Sequence, residues 1–230
     1  IFLTMANRNP TYQQIRWIDQ TGVERVNVTR EGDRVLAVDA RDLQDRSNQY
    51  YIAATRDLLM GEVYISHLEM NAENHQAGAP VRPILRVATP VQGSDNRKHG
   101  ILSINITLRH MIDALRSASE TSPDTNYALI NKYGYWLTVP AEQDQVQVPF
   151  QLEIDSRISR EHQAAWELIS ANDTGTAELD DGFWIWKMLA AEDVVRRVVL
   201  AESDSGIEIP VINHSDFSLL LVAHKPIREL

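Results

Sequence analysis

The chain has 230 residues, of which 43% are hydrophobic and 23% charged, so it is long and apolar enough for one large or two small globular domains. Its net charge of −10 argues against a nucleic-acid-binding domain, which needs a basic surface, and gives no attraction to an anionic membrane. There is no cysteine, which excludes disulfides, thiolate metal sites and cysteine nucleophiles.

The chain begins at Ile1 rather than at a methionine, and no apolar run approaches the ~18 residues of a membrane span. We therefore expect a fragment of a longer protein, without its anchor or signal segment. The lack of cysteine fits either the cytoplasm or a bacterial periplasm.

Residues 13–31 are predicted to form a β-hairpin, because two β-rich runs flank a polar turn that ends at Gly22. Asp19 suits the start of the turn, where its side chain can bond its own backbone. Arg16 and Glu24 could pair across the two strands. These three charged residues are therefore interpreted as structural.

Residues 41–58 are predicted to form a helix with a semi-polar stripe along one side. The stripe consists of Leu43, Ser47, Tyr50, Ala54 and Leu58, with Tyr51 at its margin. Such a helix, laid across the polar face of a sheet, would leave a cavity for water or a polar ligand.

Three strands are predicted at 61–66, 84–91 and 100–107, each alternating apolar and polar residues. They can build one sheet with an apolar face and a polar face, and Arg86 lies on the polar face. If an element covers that face, it forms a small-molecule pocket. If none does, it is the solvated side of the sheet.

The second half repeats this order. A hairpin is predicted at 127–139, a helix at 157–170 and strands at 183–189 and 217–224. The turn Ile130-Asn131-x-x-Gly134 matches Ile18-Asp19-x-x-Gly22 of the first hairpin. The repeat predicts two similar modules in tandem.

The polar, proline-containing segment 118–126 marks the predicted boundary between the modules. We predict an α+β fold of two PAS-like modules, 1–120 and 121–230, each an antiparallel sheet with a covering helix. Trp184 and Trp186 alternate on one strand of the second module and are interpreted as core.

Arg86 is the leading candidate for a ligand contact, because a planar guanidinium on a covered face matches a carboxylate. An internal partner such as Glu62 or Asp39 is the alternative. The other candidates are hydroxyl, amide and guanidinium groups that could line the same cavity: Tyr51, Tyr64, Ser66, Asn105 and Arg46. Arg46 points either into the pocket mouth or, as we expect, to solvent.

Motifs of catalysis and of metal or cofactor binding are absent from the sequence. It contains no His-Glu-x-x-His, no Gly-x-Ser-x-Gly, no phosphate loop and no dinucleotide fingerprint. His67, Glu69 and His75 come nearest to a metal cluster, but they are predicted at a strand end and in a loop, which do not fix their geometry. We expect no catalytic centre, metal or cofactor in this chain.

The order of motifs resembles the double Cache, or tandem PAS-like, extracytoplasmic sensor domain of bacterial histidine kinases, chemoreceptors and diguanylate cyclases. The resemblance covers about residues 12–107 and rests on four motifs. These are Tyr12-Gln-Gln-Ile-Arg-Trp-Ile-Asp-x-x-Gly-x-Glu24, Tyr50-Tyr51 followed by Gly61-Glu-Val-Tyr-Ile-Ser66, Arg86-x-Ala-Thr-Pro90, and Gly100-Ile-Leu-Ser-Ile-Asn105. The second half matches in outline only.

This resemblance implies a domain outside the inner membrane, between two transmembrane helices. The membrane-distal module would bind an amino acid, a small carboxylate or an amine, and the proximal module would relay the signal, in receptors that are generally dimeric. The amino-acid-binding version carries Arg-x-Trp-Tyr, whereas this chain has Arg46-Ser-Asn-Gln-Tyr50-Tyr51. The resemblance therefore does not extend to that motif.

Two functions remain open from the sequence. The first is a sensor whose first module binds a small polar, anionic ligand. The alternative is a protein-interaction or structural relay module of the same fold, without a small-molecule ligand. An output domain, such as a kinase or a cyclase, would lie outside this chain.

Overall fold

Two antiparallel sheets, each with its own short helices, make up the part of the chain that the computed structural model describes, residues 1–70, 83–138, 157–191, 194 and 217–227. They form two units. Among these residues the first unit holds 1–70 and 84–108, and the second holds 109–138, 157–191 and 218–227. The architecture confirms the predicted α+β class. The boundary between 1–120 and 121–230 stays a prediction.

The described residues of the first unit form two helices, a short 3₁₀ turn and seven strands. In chain order they are α1 (Phe2–Arg8), β1 (Tyr12–Ile18), β2 (Glu24–Glu31), β3 (Arg34–Ala37), the 3₁₀ turn (Ala40–Asp42), α2 (Tyr50–Arg56), β4 (Tyr64–Ile65), β5 (Glu69–Met70), β6 (Pro83–Gln92) and β7 (Lys98–Thr107). The strand order is β3-β2-β1-β7-β6-β4, and β5 pairs with β6. The first hairpin and two of the three predicted strands are confirmed, whereas the predicted strand 61–66 is reduced to the two residues of β4.

The apolar face of this sheet is packed by α1, a helix that the sequence analysis did not predict. Ala6 of α1 joins Tyr12, Ile15, Val28 and Ile106 in one buried cluster. The chain enters the sheet on β1 and leaves it on β7, and these two strands are antiparallel neighbours at its centre. The predicted alternation therefore places the apolar residues on a packed face.

The predicted helix 41–58 is wrong in extent. Only the 3₁₀ turn and α2 are helical, and the segment between them is irregular, with a turn in which Gln49 N donates to Arg46 O at 2.9 Å. In place of helical hydrogen bonds, its backbone forms hydrogen bonds with the turn end of the first hairpin. Arg46 N donates to Gly22 O at 2.7 Å, and Glu24 N donates to Gln44 O at 3.0 Å. Asp45 Oδ1 also accepts from Ser47 N at 2.8 Å, a local bond that competes with a helix.

The described residues of the second unit form three helices and four strands. They are α3 (Arg109–Thr121), β8 (Asn126–Asn131), α4 (Ile158–Glu161), α5 (Gln163–Ala171), β9 (Thr174–Leu179), β10 (Gly182–Leu189) and β11 (Leu219–Pro226). The sheet has the order β8-β11-β10-β9 and is antiparallel throughout.

The tryptophans of β10 form the core of this unit, as predicted. Trp184 is 0% and Trp186 4% exposed, whereas their neighbour Phe183 points outward and is 51% exposed. A Cβ on Gly175 would lie 2.3 Å from the ring of Trp186, so the glycine makes room for that indole. Ile169 of α5 packs against the same cluster.

Three details of the second unit differ from the prediction. Helix α3 runs to Thr121, so the predicted linker 118–126 begins inside a helix. The predicted helix 157–170 is divided at His162, whose backbone leaves the helical region with φ −139° and ψ 63°. Strand β9 was not predicted, because its sequence Thr-Gly-Thr-Ala-Glu-Leu has few apolar residues.

His162 belongs to a cluster that ties together the start of α5, the β9–β10 turn and β11. Its Nδ1 lies 2.6 Å from Asp181 Oδ2, and Trp184 Nε1 donates to Asp181 Oδ1 at 2.9 Å. His224 stacks on Trp184 with ring centroids 3.9 Å apart, and its Nε2 lies 3.1 Å from the Asp181 carbonyl. Burial lowers the pKa of His224 below its ordinary 6.5, against a weaker opposing effect of the Asp181 carbonyl.

We expect the second unit to lose stability as the pH falls through 6.5. The unfolded chain protonates His224 more readily than the folded chain, so acid favours unfolding, with a slope of at most about 1.4 kcal/mol per pH unit for one proton. Burial acts to raise the pKa of Asp181, but hydrogen bonds from Trp184 and His162 lower it below 3.8 overall, which adds a further loss below about pH 4.

Urea denaturation of the wild type and of His224→Gln between pH 5 and 8 tests this expectation. The variant should show a flatter dependence between pH 7 and 5. His99→Gln, which changes an exposed histidine of the first unit, is the control and should follow the wild type. Equal slopes for all three proteins would contradict the assignment to His224.

Candidate functional site

The polar face of the first sheet is covered by α2 and is not its solvated side. Cross-strand pairing aligns two rows of side chains on this face. The rows are Arg86, Asn105, Gln14 and Thr29, and then Ala88, Ser103, Arg16 and Asn27. Arg86, Ser103 and Asn105 are each 1% exposed.

Helix α2 packs on this face through residues spaced along one side. Tyr51, Ile52 and Thr55 are buried, and Tyr51 and Ile52 share a cluster with Ile18 and Ile101 of the sheet. Lys98 Nζ donates to the carbonyls of Arg56 and Leu58 at the end of the helix, at 2.7 and 2.6 Å.

The position of Tyr51 corrects the predicted helix stripe, because Tyr51 is fully buried, whereas Tyr50 is 44% exposed. Tyr51, placed at the margin from the sequence, is therefore the tyrosine of α2 that faces the sheet.

Arg46 is held by Glu24 and does not face solvent, so that expectation was wrong. Glu24 Oε1 lies 2.9 Å from Arg46 Nε and 3.1 Å from Arg16 Nε, and all three residues are buried. The predicted pairing of Arg16 with Glu24 is confirmed. The irregular segment before α2 carries Arg46 into this position.

Asp19 also has the predicted structural role. Its Oδ1 accepts from the backbone of Thr21 and Val23 at 2.8 and 3.1 Å, and Arg25 Nε donates to Oδ2 at 2.6 Å. Burial acts to raise the pKa of Asp19, but the hydrogen bond from the Thr21 hydroxyl and then these three bonds lower it to about 2. The side chain therefore fixes the hairpin turn.

Arg86 lies on the ring of Tyr51, with its guanidinium carbon 3.9 Å from the ring centroid. Glu69 is an internal carboxylate partner of Arg86, with Oε2 at 3.4 Å from Nη2, in place of the pairs with Glu62 or Asp39 that the sequence analysis suggested. Ser66 Oγ accepts from the Arg86 backbone N at 3.0 Å.

Tyr50 and Tyr64 extend this group toward the edge of the sheet. The Tyr50 hydroxyl donates to Glu69 Oε1, and its ring meets those of Tyr51 and Tyr64 edge-on, with centroids 5.8 and 6.5 Å apart. Burial and then the Glu69 carboxylate raise the pKa of the Tyr50 hydroxyl, which stays protonated. The structure thus brings Arg86, Tyr51, Tyr64, Ser66 and Asn105 onto one covered face.

An amide ladder, consisting of Asn105, Gln14, Asn27 and Glu24, crosses the same face. Asn105 Nδ2 donates to Gln14 Oε1 at 3.1 Å, and Gln14 Nε2 donates to Asn27 Oδ1 at 3.0 Å. Asn27 Nδ2 then donates to Glu24 Oε2 at 3.1 Å. The ladder links the Arg86 end of the face to the buried carboxylate between Arg16 and Arg46.

Two buried oxygens on this face have no hydrogen-bond donor or acceptor among the described residues. They are Asn105 Oδ1 and Ser103 Oγ. Leaving a buried polar atom unsatisfied costs about 1–3 kcal/mol, so such atoms are usually met by water or a ligand. Asn105 is the cross-strand partner of Arg86, and Ser103 lies in the next row, so these oxygens mark the part of the face where a ligand could be held.

A cavity of about 270 Å³ opens at the other end of the same face. It is lined by Asp19, Gln20, Ile52, Arg56, Pro90, Lys98, Gly100 and Ile101. None of the six predicted site residues lines it. Ile101 precedes Ser103 by two residues on β7, so the cavity borders the polar part of the face.

Sequence reasoning placed Ser103 on the polar face but missed Gln14 and Asn27 as members of it. A usable signal was present, because Gln14 and Arg16 alternate with Ile15 and Trp17 on β1 just as Ser103 and Asn105 alternate on β7. Applying the same alternation to the first hairpin would have placed its polar residues beside those of β7.

Within residues 1–70, 83–138, 157–191, 194 and 217–227, no three His, Asp or Glu residues are grouped so that they could hold a metal ion. In the same part of the chain, no helix has the length and apolar character needed to cross a membrane.

The family model "Bacterial histidine kinase, sensor domain" matches residues 1–198 of the chain. No curated protein matches the chain in sequence.

Solved structures share the fold at low sequence identity. The extracellular domain of vpHK1S-Z8, assigned as a histidine kinase, has a TM-score of 0.70 and 16% identity, over 98% of this chain and 72% of the other. A domain of a sensory box/GGDEF family protein from Vibrio parahaemolyticus has a TM-score of 0.69 and 16% identity, over 97% of this chain and 76% of the other. A third structure is the ligand-binding domain of the amino acid chemoreceptor PctC of Pseudomonas aeruginosa PAO1 in complex with GABA. Its TM-score is 0.51 and its identity 10%, over 94% of this chain and 75% of the other.

Proposed function

The chain belongs to the family of sensor domains of bacterial histidine kinases, and we propose that its first unit senses a small anionic molecule outside the cytoplasm. The ligand lies on the covered polar face of the first sheet, under α2. The chain is then the extracytoplasmic part of a membrane-bound receptor, which is a homodimer in its full-length form.

The observation that carries this proposal is the buried guanidinium of Arg86 in one row with the unsatisfied Asn105 Oδ1, with a second unsatisfied oxygen, Ser103 Oγ, in the next row of the same covered face. A planar guanidinium recognises carboxylates through paired hydrogen bonds. Tyr51 fixes the plane of the guanidinium by stacking on it at 3.9 Å. A preorganised cation of this kind suits a small acid.

The neighbouring cavity supports a small ligand. Its volume of about 270 Å³ lies near the lower end of the roughly 300–1,000 Å³ typical of ligand pockets. Its floor is apolar, through Ile52, Pro90 and Ile101, and it borders the polar part of the face. PctC, which shares the fold, binds GABA, a molecule that carries a carboxylate.

Signalling follows from differential affinity. A ligand that contacts both α2 and the sheet stabilises the arrangement in which the two are closest, and the population shifts by the difference in its affinity for the two arrangements. In this proposal the module 1–120 binds the ligand and the module 121–230 relays the change across the membrane.

We expect small carboxylates to raise the melting temperature of the wild type, and Arg86→Ala to abolish that rise. A ligand at ~100 times its dissociation constant stabilises the folded state by about 2.7 kcal/mol. Arg86→Lys keeps the charge but loses the planar fork, so we expect weaker binding at retained folding. The measurement is a thermal-shift titration with small carboxylates, amino acids, amines and purines.

Arg41→Ala is the matched control, because the Arg41 side chain is 82% exposed. It should leave the thermal shift unchanged. A shift that persists in Arg86→Ala would remove Arg86 from the site. If no compound in the set shifts the wild type, the small-molecule sensor is wrong and the protein-interaction module becomes the better description.

A further inference from the structure

The amide ladder has a direction, which is set at its buried end. Both oxygens of Glu24 accept hydrogen bonds, Oε1 from Arg46 and Oε2 from Asn27 Nδ2 and from Gln44 N. A carboxylate can only accept, so Asn27 must turn its NH₂ toward Glu24. Its oxygen then faces Gln14.

Each following amide inherits this orientation. Gln14 must donate to Asn27 Oδ1, so its own oxygen faces Asn105, and Asn105 must donate through Nδ2. Rotating the Asn105 amide alone would set two carbonyl oxygens against each other. Rotating all three amides would set Asn27 Oδ1 against the Glu24 carboxylate, which has no proton to give.

The ladder therefore ends on an acceptor. Asn105 Oδ1 is buried and has no donor among the described residues. Arg86 is the direct cross-strand partner of Asn105, so the free acceptor and the guanidinium share one row of the face. A ligand held by Arg86 would place its neighbouring atoms over Asn105.

We propose that the amide ladder selects ligands that carry a hydrogen-bond donor beside their anionic group, with Asn105 Oδ1 as the acceptor. The inference rests on the proposed binding of an anion at Arg86. An acid with an adjacent amino or hydroxyl group satisfies both Arg86 and Asn105. A keto acid or an unsubstituted acid satisfies Arg86 but leaves Asn105 Oδ1 unpaired or facing another acceptor, which is unfavourable.

The test compares acids that differ only in the group next to the carboxylate. Alanine, lactate, pyruvate and propionate form one such series, and glutamate, 2-hydroxyglutarate, 2-oxoglutarate and glutarate form a longer one. Their affinities for the wild-type chain are measured by calorimetric titration. We expect the amino or hydroxy acid of a series to bind at least about tenfold more tightly than its keto and unsubstituted analogues, the effect of one satisfied buried acceptor.

Two variants connect the selectivity to the ladder. Asn105→Leu keeps the side-chain size but removes the acceptor, so the difference within a series should disappear. Ser103→Ala removes the other unsatisfied oxygen and should leave the difference in place. Circular dichroism checks that each variant is folded, and the comparison on the wild type stands alone if Asn105→Leu does not fold.

The outcomes separate the two proposals. Equal affinities across a series, all lost in Arg86→Ala, would overturn the selectivity and keep the anion site, with a water molecule satisfying Asn105. Preference for keto or unsubstituted acids would also overturn it. If no acid in either series binds, the anion site fails and the selectivity fails with it.

Discussion

Glu24→Ala is expected to destabilise the first unit by about 3–5 kcal/mol, because it removes one partner of a buried ion-pair group. Glu24 is 1% exposed and lies within 3.1 Å of Arg16 Nε and 2.9 Å of Arg46 Nε. Its loss leaves two guanidiniums in the same buried space without the carboxylate between them. It also removes the acceptor at the end of the amide ladder.

Urea denaturation followed by circular dichroism measures this loss. Asp39→Ala is the matched control, since Asp39 pairs with Arg41 at 3.3 Å but their side chains are 71% and 82% exposed. An exposed pair contributes about 0–1 kcal/mol, so this variant should resemble the wild type. A loss below about 1 kcal/mol for Glu24→Ala would mean that the two arginines do not depend on Glu24.

Trp184→Ala is expected to destabilise the second unit by about 3–5 kcal/mol, the range for truncating a large buried aromatic residue. The indole is 0% exposed, donates to Asp181 Oδ1 at 2.9 Å and stacks on His224 at 3.9 Å. The substitution therefore removes core volume and two specific contacts. The first unit should keep its own stability, because the two units have separate sheets.

Hydrogen exchange measured by mass spectrometry distinguishes the units, since peptides from β10 and β11 should lose protection while peptides from β1 and β7 keep it. Phe183→Ala is the neighbouring control, with a side chain that is half exposed. It should change protection by much less. A uniform loss across both sheets would show that the units unfold together.

The period-two alternation of side chains along the strands correctly predicted which residues share the face of the candidate site. It placed Arg86 and Asn105 on one face from the sequence, because a strand fixes the direction of each side chain with period two. Whether the face was covered depended on contacts between distant segments, which no local pattern contains. For the same reason the sequence did not identify Glu69 as a partner of Arg86, because Glu69 lies seventeen residues earlier in the chain, on the paired strand β5.

The helix before the site shows why local periodicity was not sufficient. The stretch 41–58 has a usable helical stripe, yet its middle is not helical. The backbone of Arg46 bonds Gly22, and its guanidinium reaches Glu24. Tertiary hydrogen bonds to the first hairpin therefore outweighed a helix propensity that differs by only tenths of a kcal/mol per residue.

Because β1 and β7 are antiparallel neighbours, the residues where the chain enters and leaves this sheet lie side by side at one end of the pair. Thr107 N donates to Thr11 O at 2.9 Å where the chain enters and leaves, and the Gln14–Asn105 pair is among the next along the two strands. A force that separates these two residues would break the β1–β7 hydrogen bonds one after another, and would not act on all of them at once. A ligand bonded to Asn105 would then resist this separation near its start, close to the points where the chain enters and leaves the sheet at residues 11 and 107.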